Sequence, residues 1–202
     1  MIDSIAAVDR AWTKWANRHR LDPAAVVPQI HGRRAIDSLR LLSPDPNLDL
    51  VEEEKWLACV EETDTEGIVP IAGALEFVSL IPKELWSVVT SGTSPVAIAR
   101  MAAVGLNPLS AVYGEEVANG KPSPDPYVLG AERLNVQREH CIVFEDTTAG
   151  IRSGRAAGMR VIAISGEADR PDLDEADLVI RDYRGLHLRA AKDGLTIEFG
   201  SK

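Results

Sequence analysis

The chain has 202 residues, 45% of them apolar and 26% charged, enough for one sizeable domain or one domain carrying a smaller insertion. Its net charge of −9 argues against nucleic acid or an anionic membrane as the main partner, yet permits a phosphorylated substrate held by a metal and a few local cations. Two isolated cysteines, Cys59 and Cys141, with no membrane-length apolar run and no signal-peptide pattern, fit a reduced cytoplasmic setting without a disulfide framework.

The first part reads as helices. Ile5, Val8, Trp12 and Trp15 recur at steps of three and four, which predicts an amphipathic helix starting at Ser4. Asp22 followed by Pro23 is a cap-and-first-turn signal for a second helix. IHGRRAIDSLRLL then gives a loop and a third helix with Ala35, Leu39 and Leu42 inward. Asn47 is expected to cap a fourth that runs to about Glu62, with Leu50, Leu57 and Val60 inward. The polar run EETDTEG (61–67) reads as a domain boundary.

Beyond it strands alternate with helices. PIAGALEFVSLIP (70–82) predicts a helix ended by Pro82, and Trp86–Val89 a short strand followed by Thr90, Ser91 and Gly92. Ser94 and Pro95 start a helix that Gly105 stops; Ala111–Tyr113 is a short strand, and GKPSPDPY opens a helix reaching Leu134. Cys141–Phe144 reads as a strand buried on both faces, with Glu145 and Asp146 at its end. The next helix carries Gly150, Gly154 and Gly158 four apart, a bare face for close packing. Strands follow at Val161–Ile164 and Leu178–Ile180, and LTIEF (195–199) adds an edge strand. The alternation predicts an α/β fold, a parallel sheet with helices on both faces, behind a helical piece.

Three strand ends carry the chemistry. Thr90 and Ser91 present hydroxyls and backbone N–H groups ahead of a helix N-terminus, a place suited to anions. Lys121 sits in a proline-stiffened loop, and Glu145 and Asp146 offer the hard oxygens that Mg²⁺ prefers. Taken singly these are a helix cap, a solvated lysine and an acidic turn. Their order at the ends of successive βα units predicts one site that handles a phosphoryl group.

SVVTSGT, GKPSPDPY and VFEDTTAGIRSGRAAGM resemble the second, third and fourth motifs of the haloacid dehalogenase superfamily, and IHGRRAIDSLR narrows the likeness to its small sugar-phosphate and polyol-phosphate phosphatases. The resemblance implies a Rossmann-like three-layer α/β/α core over 1–9 and 68–202, with a helical cap over 10–67. It implies phosphoryl contacts from Thr90, Ser91, Gly92 and Lys121, with Thr90 and Lys121 catalytic. Asp146, helped by Glu145, would hold Mg²⁺, and His31, Arg33 and Arg34 of the cap would read the sugar. No nucleic acid or membrane partner is implied, and the chain is expected to be a monomer or weak dimer. A phosphosugar mutase of the same fold and a non-catalytic phosphate- and metal-binding module are the alternatives.

The family pattern opens on a buried strand and Asp-x-Asp, whose first acid attacks phosphorus, and continues into an Asp-Ser pair that Asp3-Ser4 matches. The expectation is therefore a chain that begins just after its nucleophile and lacks the central strand, from a longer gene product. It would be inactive as given, hold Mg²⁺ weakly and expose two hydrophobic sheet edges.

Overall fold

Two tryptophans one turn apart organise the N-terminal segment of the structure, a computed structural model that describes residues 1–166, 170–191 and 194–199. A short strand, β1 (Ile2–Asp3), leads into α1 (Ile5–Arg18), whose Trp12 and Trp15 are buried and meet edge-on with ring centroids 5.4 Å apart. Around them pack α2 (Pro23–Val26), α3 (Ala35–Leu42) and α4 (Leu50–Thr63), with Val26, Ile30, Leu39 and Leu57 closing the core. Asp22 caps α2 as expected, its Oδ1 accepting the Ala24 N–H at 3.0 Å. The cap of α4 is Asp49 rather than Asn47. Its Oδ1 accepts the N–H groups of Val51 and Glu52, while Asn47 is tied into the preceding turn by Asp45. A carboxylate at that position gains from the helix dipole as well as from the hydrogen bonds.

At the exit of α4, Arg10 grips Asp64 through Nε (3.0 Å) and Nη2 (2.6 Å) and also donates to the Glu66 carbonyl. The chain then returns to β1 as the antiparallel β2 (Val69–Pro70). The helix expected over 70–82 is shorter, α5 (Ala74–Ser79). Pro70 belongs to β2, and Gly73 stands in a left-handed conformation (φ +76°) where a Cβ would meet the Arg184 backbone N at 2.7 Å.

The α/β part follows in chain order: β3 (Val88–Val89), α6 (Ser94–Ala103), β4 (Ala111–Val112), α7 (Asp125–Leu134), β5 (Ile142–Glu145), α8 (Thr148–Ala156), β6 (Arg160–Ile164) and β7 (Leu178–Ile180). β3 and β4 are parallel, and β5, β6 and β7 form a parallel sheet in that order. The expected parallel architecture is thus present, but in two parts. Among the described residues no strand lies between β3 and β5, so each presents an unpaired edge. α7 packs against β3, β4 and α8 and reaches the second part through Tyr127, which bonds Glu145 of β5. On α8, a Cβ at Gly154 would come within 2.9 Å of Val161, which is how closely that helix lies on the sheet. Gly158 lies beyond the helix in a left-handed turn (φ +79°) and is no part of that bare face.

LTIEF does form a strand, β9 (Gly194–Phe199), but not on the edge of the parallel sheet. It pairs antiparallel with β8 (Leu186–Ala191), for which the sequence reading had no strand. Positions 167–169, 192–193 and 200–202 of the expected core lie outside the described residues.

Candidate functional site

The rim where β3, the loop before α7 and β5 end gathers the expected groups. A cavity of about 1860 Å³ reaches from this rim into the interior, and Thr90, Ser91, Lys121, Asp146, His31 and Arg33 are among the residues that line it. Lys121 is 8% exposed and follows from the loop through a cis peptide to Pro122. Its ammonium donates to the Val89 carbonyl at 3.2 Å and to Glu145 Oε1, and it stands 5.0 Å over the Tyr127 ring. One cation therefore joins the ends of β3 and β5.

Glu145 is saturated. Oε1 accepts from Lys121 and from the Tyr127 hydroxyl (2.5 Å), and Oε2 accepts the Asp146 N–H (3.0 Å), the Thr147 N–H (3.3 Å) and the Thr147 hydroxyl (3.1 Å). Gly150 makes room for it, since a Cβ there would fall 2.0 Å from the carboxylate carbon. Burial acts to raise the Glu145 pKa, but the Lys121 ammonium and the donated hydrogen bonds hold it below the ordinary carboxylate value. With both oxygens engaged by protein donors, Glu145 holds Lys121, a tie that its expected part in helping Asp146 with Mg²⁺ did not include.

Asp146 faces the other way, as the next residue past a strand end should. It lines the cleft. Burial, and then the Glu145 charge, raise its pKa, with the Met1 amino group and Lys121 opposing. A carboxylate whose charge is this costly gains from a divalent cation beside it. Among the described residues no three metal-type side chains cluster, so the protein offers one free-facing acid to a cation rather than a cage. Mg²⁺, which keeps waters and leans on substrate phosphates, suits such a donor set.

Thr90 closes its own turn: its backbone N–H donates to the Val112 carbonyl at 3.0 Å, and its Oγ1 accepts the Gly92 N–H at 3.1 Å. The Ser91 hydroxyl is drawn to the helical segment, donating to the Gly32 carbonyl at 3.1 Å. At the N-terminus of α6 the first N–H, that of Ser94, already donates to Glu115 (2.8 Å). The expected anion position is therefore narrower than the motif suggested. His31 and Arg33 are exposed beside the cleft, with His31 Nε2 3.2 Å from Asp9. Arg34 is turned away, bonded to Asp37 and to the Val117 carbonyl.

Tyr127, which the sequence did not single out, joins this cluster through Glu145 and Lys121. Burial, then the neighbouring Glu145 charge, push its hydroxyl pKa well up, so it remains a proton donor. Its only sequence signal was its place on the first turn of the helix opened by GKPSPDPY, six residues after Lys121.

A family profile described as haloacid dehalogenase-like hydrolase matches residues 29–164. Over 198 residues the chain is 42% identical to hexitol phosphatase A of Escherichia coli (strain K12), covering 96% of this chain and 92% of that protein. It is 29% identical over 200 residues to glycerol-1-phosphate phosphohydrolase 2 of Saccharomyces cerevisiae, covering 92% of this chain and 78% of that one. A crystal structure of a hydrolase from Pseudomonas syringae superposes with a TM-score of 0.80 at 22% identity, covering 91% of this chain and 90% of its own.

Proposed function

Because the chain belongs to the haloacid dehalogenase-like hydrolases, we propose that it is a phosphatase that releases inorganic phosphate from a small sugar or polyol phosphate, a hexitol phosphate first among them. The observation that carries this reading is that Thr90, Lys121 and Asp146, spread over fifty-odd positions, stand at strand ends that Lys121 ties together through the Val89 carbonyl and Glu145, with Tyr127 holding Glu145. The helical segment 10–67 would act as a cap over a core of 1–9 and 68–202, with His31 and Arg33 reading the sugar or polyol. The free cysteines fit a cytoplasmic setting, and among the described residues no helix is long and apolar enough to cross a membrane.

In this reading Lys121 neutralises charge on the transferring phosphoryl group, with the Thr90 turn beside it at the end of β3. Asp146 would hold Mg²⁺, which supplies further charge neutralisation when bound. Glu145 stays ionised beneath the lysine, and Tyr127 keeps its proton. Neither Asp3 nor Asp9 is offered as the attacking group: Asp3 Oδ1 accepts the Ile5 N–H at 3.1 Å, and Asp9 faces His31.

The test is Mg²⁺-dependent phosphate release by the protein from hexitol, glycerol and sugar phosphates. EDTA should abolish release and Mg²⁺ restore it. Lys121→Ala and Asp146→Asn should each lower kcat by roughly 100-fold or more. Isomer formation in place of free phosphate would make it a mutase. Sugar-phosphate binding without turnover would make it a binding module, and silence across the panel would end the phosphatase reading.

A further inference from the structure

We infer that Arg34 is a positioning residue: it clamps the helical segment to the loop that leads into Lys121, and so sets where the Lys121 ammonium stands. Its guanidinium is aimed by Asp37, three residues on at the start of α3, through Nε to Oδ2 at 2.6 Å and Nη2 to Oδ1 at 3.0 Å. That two-pronged hold leaves Nη1 to reach across and donate to the Val117 carbonyl at 2.9 Å, with the Gly114 carbonyl at 3.5 Å. The side chain is only 12% exposed, so these bonds are shielded from water.

The receiving loop is shaped around the arginine. A Cβ at Gly120 would stand 2.7 Å from Arg34 Nε and 2.9 Å from its Cγ and Cδ, and one at Gly114 would stand 3.3 Å from Cγ. Gly120 is the residue before Lys121. Other ties hold the same loop from within the α/β part, Arg133 to Glu116 (2.8 Å) and the Asn119 N–H to Asp125 (3.2 Å). Arg34 adds a tie from the helical side. Two positions earlier, Gly32 (φ +77°) takes the Ser91 hydroxyl on its carbonyl, and its missing Cβ would fall 2.8 Å from Thr147 Oγ1. Residues 32–34 thus touch all three strand-end loops of the site. The neighbouring arginines divide the work, Arg33 exposed on the cleft and Arg34 holding the loop. A guanidinium is charged at any accessible pH and forks across two partners, which a lysine cannot do.

The inference goes beyond the phosphatase reading, and its main readout needs no substrate. Backbone amide exchange is compared by mass spectrometry for wild type, Arg34→Ala, Arg34→Lys, Gly120→Ala and the Gly120→Ala/Arg34→Ala pair. Loss of a charge-assisted hydrogen bond corresponds to about tenfold faster exchange over residues 113–121. That rise is expected in all variants, confined to the loop, with β5–β7 unchanged. Gly120→Ala displaces the arginine without removing its charge, and the double variant should be no worse than either single one. Unchanged exchange over 113–121, a uniform rise across the molecule, or additive effects in the double variant would each overturn the inference. Calorimetry with inorganic phosphate gives a second readout: Gly120→Ala should weaken binding several-fold by misplacing Lys121. Tighter binding there would mean that the freed Arg34 is itself an anion ligand, which also overturns it. A wild type that binds no phosphate would count against the phosphatase reading alone.

Discussion

Glu145 shows how far a single carboxylate can be specified. Five donors from Lys121, Tyr127, Thr147 and the backbone fill its two oxygens, and Gly150 supplies the space. Gly150→Ala should therefore cost about 2 kcal/mol or more by overpacking, seen as a lowered Tm, and should remove activity by displacing Glu145. Tyr127→Phe deletes one donor without adding volume. We expect a loss of about 1–3 kcal/mol in denaturant unfolding and a milder fall in kcat than Lys121→Ala gives. Equal kcat losses in the two variants would show Tyr127 doing more than holding Glu145. Much of this centre is legible in the sequence: Glu145 and Asp146 follow an apolar strand, and Lys121 sits in a proline-stiffened loop. What position in the sequence does not show is which partners each acid meets, because Lys121 and Tyr127 come from another segment. Val143 is buried, so Glu145, two positions on, turns beneath the sheet towards α7 and α8, and Asp146 turns to the cleft.

At the scale of elements, the helices with a clear apolar stripe were readable and the short strands were not. The α1 stripe predicts the buried tryptophans because core contact there follows from period alone. β3 and β4 are two residues each, too short for any periodicity to set their ends. β8 was missed although Leu186 and Leu188 alternate with His187 and Arg189, a half-buried strand pattern that the turn residues around it obscured. The join between α1 and the end of α4 offers a test by pH. Arg10 holds the Asp64 carboxyl below its ordinary pKa of 3.8. A depressed carboxyl contributes stability that is complete above about pH 4 and lost as pH falls through its lower folded value. Arg10→Met should thus lower Tm slightly at pH 7, where a largely solvated arginine counts for little, and flatten the acid limb of Tm against pH. An acid limb unchanged by the substitution would remove this pair from the stability of the join.

At the scale of the molecule, the parallel sheet is interrupted between β3 and β5, and the gap opens into the cleft. Trp86 and Tyr183 line that cleft, and Trp86 Nε1 and the Tyr183 hydroxyl are buried without a hydrogen-bond partner among the described residues. Each such orphan costs about 1–3 kcal/mol. Unpaired edges also invite other strands. We expect sedimentation velocity to show association that grows with concentration, and Ile142→Lys, a charge on the half-exposed β5, to shift the chain towards monomer. A single monomeric species at every concentration would contradict this.

α7 runs under the break like the spine of an open book. Gly130 bears on Val89 of one leaf, where a Cβ would stand 3.0 Å from Cγ2, while Tyr127, three residues earlier and so on the same side of the helix, bears on Glu145 of the other. The spacing of the two leaves is therefore written in side-chain volume at those positions. One methyl added at 130 would act as a shim, prising Val89 away from the lysine that bridges the leaves.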